Sequence, residues 1–234
     1  MSNQPLFMPH RMGGLDLPNR IVMAPLTRMR AHPHNHVPTK LQAEYYAQRA
    51  SAGLIITEAT AISPEGFGWA DTPGLWTKQQ VRGWRWVTDA VHAAGGRVIA
   101  QLWHTSAISH PELLDGAQPV SASNVDPGRI SVTPTGRKPT VAPRPLTKQE
   151  NRVTVADFGR SARNAMEAGF DGVQILLADL VAFGRPYIAN PDLVQRFADN
   201  TPLAEVNWES VYASGPHGDS DHPTYQASEL NSRS

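Results

Sequence analysis

GVQILLADLVAFG, residues Gly172 to Gly184, decides how this chain folds. Gly172–Ile175 reads as the end of a strand that follows a helix, and Asp179–Phe183 reads as a second buried strand leading into Gly184-Arg185. Between them stand only Leu176, Leu177 and Ala178. A parallel crossover needs at least about ten to twelve residues, usually a helix. Either the stretch is one long strand, or the elements that separate two strands are missing.

Working outward, strands and helices alternate. Arg20–Ala24, Leu54–Thr57, Arg97–Leu102 and Asp171–Ile175 are short apolar runs. Capping boxes at Thr39/Gln42 and Thr77/Gln80 open two helices. The second of these places Trp84, Val87, Thr88 and Val91 on one face. A third helix is expected from about Val155 to Gly169, with Phe158, Ala162, Ala165 and Met166 on one face. Repeated units of this kind predict a parallel sheet with helices outside it. Two long segments, Ala59–Trp76 and the proline-rich Thr105–Arg152, each follow the carboxyl end of a strand, where α/β barrels build their sites.

Charge narrows the class. Lys and Arg (21) balance Asp and Glu (21), so no surplus of positive charge points to nucleic acid or an anionic membrane. Cysteine is absent, which excludes disulfides and thiolate metal sites. The start MSNQPLFMPH lacks the pattern of a secretory signal, and a cytoplasmic protein is expected. Residues 214–234 read as a polar tail following a single domain over 1–213.

Six blocks then resemble, in order, the old yellow enzyme family of FMN-dependent alkene reductases, of the N-ethylmaleimide reductase kind. They are NRIVMAPLTRMR (19–30), AEYYAQRA (43–50), IITEAT (55–60), QLWH (101–104), AGFDGVQI (168–175) and FGRPYIANPDL (183–193). The resemblance implies a (β/α)8 barrel with FMN at the carboxyl-end mouth and NAD(P)H as reductant. In that family the motif at Gly172–Ile175 ends the fourth strand and the motif at Asp179–Arg185 forms the eighth. About five of eight strands are then present, and three βα units are missing. An edge left open in this way predicts self-association.

The same resemblance carries site residues over. Pro25, Leu26 and Thr27 end the first strand, where the family threonine bonds the isoalloxazine carbonyl near N5. Ala59 matches a small residue that lets backbone approach the ring. Gln101 offers a donor and an acceptor to the pyrimidine edge. Gly184 and Arg185 match the phosphate site, where backbone N–H groups and a guanidinium fork meet oxygens. A strand-end threonine, a structural glutamine and an ordinary Gly-Arg-Pro turn are the plain alternatives.

Beyond Ile175 the sequence departs from the family. A His, an Asn three residues later and a Tyr two beyond that would polarise the substrate and protonate it; Leu176, Asp179 and Val181 hold those offsets. The expected reaction, reduction of activated alkenes or nitro compounds, is therefore impaired. The alternatives are a non-catalytic flavin-binding remnant and an artefactual join in the gene. His32, His34 and His36 read as a solvated loop rather than a metal site, and His104, His110, Asp219, Asp221 and His222 lack a hydrolytic signature.

Overall fold

The computed structural model describes residues 4–174, 181–183, 185–199, 201–208, 210–211, 216 and 219–224. It opens with a hairpin, β1 (His10–Met12) and β2 (Leu15–Leu17), followed by alternating β3 (Ile21–Met23), α1 (Lys40–Ala47), β4 (Leu54–Ala61), α2 (Lys78–Ala93) and β5 (Val98–Trp103). Four short strands occupy the segment after β5: β6 (Val120–Ser121), β7 (Ile130–Thr133), β8 (Gly136–Pro139) and β9 (Arg144–Pro145). β7 and β8 make an antiparallel hairpin, and β6 lies parallel to β9. Last come α3 (Lys148–Glu167), β10 (Val181–Phe183), α4 (Arg185–Ala189) and α5 (Leu193–Asp199).

The central sheet has the order β10-β3-β4-β5, with every pair parallel. A fifth strand adds to its far edge. Asp171 N–H donates to the Val98 carbonyl (2.9 Å), Ala100 N–H to Gly172 (3.1 Å), and Gln174 N–H to Ala100 (2.8 Å). The two halves of the opening stretch thus sit on opposite edges of the sheet, one against β5 and the other against β3. One long strand is excluded, and the fold is an incomplete (β/α)8 barrel with five strands among the described residues. Residues 175–180, including Leu176, Leu177 and Asp179, lie outside the described residues.

Strand alternation sorts the core into two layers. Ile21, Met23, Ile55, Val98 and Ala100 face the helices and pack with Tyr45, Tyr46, Trp84, Val87 and Val91. Val22, Leu54, Ile56 and Ile99 face the other way and meet Leu17, Met12 and Leu15, so the first hairpin covers the inner layer. Asn19 fastens the starts of β3 and β4: its Oδ1 accepts from the N–H groups of Ile21 (3.0 Å) and Gly53 (2.9 Å). A Cβ on Gly53 would lie 2.1 Å from the Asn19 carbonyl oxygen, so only glycine fits there.

Both expected capping boxes are formed, and the apolar stripe of α2 is buried as its spacing predicts. α3 corrects the reading. It begins at Lys148 rather than near Val155, because Thr147 and Glu150 form a third capping box. Its buried side carries Ser161 and Ala165, whereas Val155, Phe158 and Met166 are exposed. The strand at 171–174 has no further strand neighbour among the described residues.

Candidate functional site

All strands of the central sheet run in one direction, so their carboxyl ends gather at one mouth. Phe183 pairs with Met23, which sets the start of α4 beside the segment leaving β3. Pro25, Leu26 and Thr27 lie half-buried on that segment. Ala59 and Gln101 are direct Cα partners across β4 and β5. The structure therefore brings Ala59 and Gln101 together and puts Pro25–Thr27 on the neighbouring strand's exit. Gly184 lies outside the described residues, and of Arg185 only the backbone is described, as the first residue of α4. The Thr27 hydroxyl and the Gln101 side-chain amide make no hydrogen bond to the described residues, which leaves both able to meet a ligand. Close by in the chain, Trp103 Nε1 and His104 Nε2 are buried without a partner among the described residues. Burial lowers the His104 pKa, so its ring is neutral at neutral pH, and Nδ1 accepts from the Ser106 N–H (3.1 Å).

A bulge in β4 organises what lies behind the mouth. The register shifts between Ile56 and Ala59, and the Gln101 N–H donates to Thr57 Oγ1 (3.2 Å). Bulges re-aim side chains, and Glu58 here is fully buried among polar partners. Its Oε2 accepts from the Arg28 N–H (2.9 Å) and its Oε1 from Gln42 Nε2 (2.7 Å). The Glu58 N–H donates to the Tyr46 hydroxyl (2.8 Å). Burial pushes the Glu58 carboxyl up to about 7, against the two hydrogen bonds that favour its ionised form.

Two buried arginines join this layer to the C-terminal part of the chain. Arg28 Nε donates to Asp219 Oδ1 at 2.8 Å. Arg49 stacks 3.8 Å from the Tyr45 ring centroid and donates to the carbonyls of Tyr45, Tyr187 and Ile188. α4 is thereby locked against α1. Sequence reasoning missed this network, although a glutamate in the middle of the apolar run LIITEATA was a legible signal. Asp219 and Ser220, expected in a polar tail, are buried.

The imagined hydrolytic set is not used as one: Asp219 is engaged by Arg28, and His110 Nδ1 accepts from the Glu112 N–H (3.2 Å). Among the described residues no group of His, Cys, Asp and Glu is arranged to hold a metal. His32 and His34 are exposed, but His36 is half-buried against Phe67. No described helix is long and apolar enough to cross a membrane.

Residues 5–179 match the NADH:flavin oxidoreductase / NADH oxidase family. A putative 12-oxophytodienoate reductase 4 of Oryza sativa subsp. japonica is 44% identical over 174 residues, covering 73% of this chain and 44% of that protein. The flavin oxidoreductase hxnT of Emericella nidulans is 42% identical over 176 residues, covering 74% and 45%. The chain thus spans less than half the length of these curated relatives. Among solved structures, the old yellow enzyme homologue of Zymomonas mobilis superposes with a TM-score of 0.89 at 30% identity, over 94% of this chain and 99% of that one. Morphinone reductase in complex with tetrahydroNAD gives 0.88 at 30%, over 95% and 98%. The sequence match stops at residue 179, while the structural match reaches past it and towards both ends of the solved chains.

Proposed function

This chain belongs to the NADH:flavin oxidoreductase / NADH oxidase family, and from that membership we propose that it is an FMN-dependent NAD(P)H oxidoreductase of the old yellow enzyme type with impaired turnover of activated alkenes or nitro compounds. The observation that carries this reading is the pairing of Ala59 with Gln101, whose amide is uncommitted, beside the strand exit that bears Thr27. Two polar side chains without partners among the described residues, next to a small residue, suit a planar ring with a hydrogen-bonding edge.

FMN, when bound, supplies two-electron hydride chemistry. Thr27 would donate to a ring carbonyl, and Gln101 would meet the pyrimidine edge with its donor and acceptor together. Ala59 would leave room for the ring, and Pro25 and Leu26 would hold the strand exit that presents Thr27. Gly184 and Arg185 would hold the phosphate on the adjacent strand exit. Leu176, Asp179 and Val181 stand where the family places the groups that polarise and protonate substrate. Loss of general acid catalysis alone costs roughly 10²–10⁴-fold.

That same loss favours a second reading, a remnant that binds flavin without turning over alkenes. We place either form in the cytoplasm as a single domain over 1–213, with Asp219 of the following segment bound back onto it through Arg28. The test is absorbance near about 450 nm in the purified protein, followed by NAD(P)H oxidation with and without an activated alkene. Flavin colour with NAD(P)H oxidation in air, and slow alkene reduction, is the expected result. Flavin without any turnover would favour the remnant, and protein that stays colourless after addition of FMN would overturn both.

A further inference from the structure

A cavity of about 530 Å³ lies among three loops that leave the carboxyl end of the sheet, those after β3, β4 and β5. None of Pro25, Leu26, Thr27, Ala59 and Gln101 lines it. Its volume is within the range of small-molecule sites, roughly 300–1,000 Å³.

One wall is aromatic. The His36 ring centroid lies 4.0 Å from that of Phe67 and 5.6 Å from that of Trp76. Burial lowers the His36 pKa, so at neutral pH the ring adds an aromatic face and no positive charge. Its Nδ1 is buried without a hydrogen-bond partner among the described residues.

Among the described residues the acidic side chains of the lining have no lysine or arginine beside them in the wall; His34, Gln118 and small apolar residues complete it. Four carboxylates are present, and two are already engaged. Glu112 is held by Lys138 and Thr135, and Glu65 lies 3.9 Å from Arg144. Asp71 and Asp115 have side chains that bond to no described residue. Burial raises the Asp71 carboxyl pKa, with Arg30 opposing, and a cation beside it would favour its ionised form. Leu113 and Leu114 add apolar surface.

We propose that this cavity binds an organic cation, an ammonium or quaternary ammonium head carried on a small apolar body. Aromatic faces attract such a head through the ring quadrupole. The free carboxylates supply the opposite charge, and the leucines take the body. A neutral ligand would leave both aspartates without a hydrogen-bond partner among the described residues, and an anion would be repelled by them.

The probe is benzyltrimethylammonium, titrated calorimetrically into the full chain, with neopentylbenzene in dilute co-solvent as its uncharged isostere. Saturable binding is expected, roughly tenfold tighter for the cation than for the isostere. Asp115→Asn should weaken it several-fold without lowering the melting temperature, because Asp115 is exposed at a turn with φ of 51° that asparagine tolerates. Trp76→Leu should weaken it further; if that variant does not fold, the Asp115 comparison stands alone. No saturable binding at millimolar probe, equal affinity for the isostere, or full affinity in Asp115→Asn would each overturn the proposal.

Discussion

The Arg28 guanidinium and the Asp219 carboxylate meet at 2.8 Å with both side chains buried, although 191 positions separate them. This pair fastens the C-terminal part of the chain behind the first strand of the barrel. Removing one partner of a buried pair leaves a desolvated charge and costs about 3–5 kcal/mol. Asp219→Ala should therefore destabilise the protein by about that much in denaturant unfolding. A loss below about 1 kcal/mol would mean that the contact does not hold the segment.

Glu58 should make stability depend on pH. Its folded pKa, about 7, is raised above the unfolded value of 4.5, so the folded state binds more protons between these limits. Stability from this group is fully present below about pH 4.5 and is lost as pH rises through 7, by up to about 3 kcal/mol. Glu58→Gln removes the titration while setting an amide N–H against one of two donors, a penalty that does not change with pH. The variant's stability profile should lack the decline seen in the natural protein. Parallel profiles would rule out Glu58 as the source.

Flavin retention should depend on two separated positions. Arg185→Ala is expected to strip FMN, since charge-assisted hydrogen bonds contribute roughly 1.5–3 kcal/mol each. Gln101→Leu should weaken FMN binding by roughly 3- to 10-fold, the cost of neutral hydrogen bonds. Fluorescence titration of the apoprotein with FMN measures both. Unchanged affinity in Arg185→Ala would move the phosphate elsewhere.

The exposed flank should drive self-association. Val155 and Met166 are 71% and 58% exposed on α3, and the edge strand at 171–174 has no further strand neighbour among the described residues. Open parallel edges with apolar flanks are a liability that soluble proteins normally cover. Light scattering after size exclusion should find oligomers at micromolar concentration, and Val155→Glu with Met166→Lys should raise the monomer fraction. A monomeric natural protein at those concentrations would refute this.

Local signals were legible in the sequence because they depend on neighbours along the chain. The capping pairs at Thr39/Gln42 and Thr77/Gln80, the stripe of α2, and the three residues between Ile175 and Asp179 are all short-range facts. They established alternating strands and helices and left two readings of that stretch, one long strand or a missing crossover. The motif order suggested which strands remain, and with it Thr27, Ala59 and Gln101 as site residues. Tertiary structure alone decided the rest. Strand pairing put residues 171–174 and 181–183 on opposite edges, since register depends on partners that a linear pattern does not name. The bulge that turns Glu58 into a buried polar layer, and the closure of Arg28 onto Asp219, need elements far apart in sequence. The exposure of Phe158 has the same origin. Its spacing marks an apolar face, but burial requires a neighbour packed against it, and Phe158 instead lines a cavity with Leu102 and Val173.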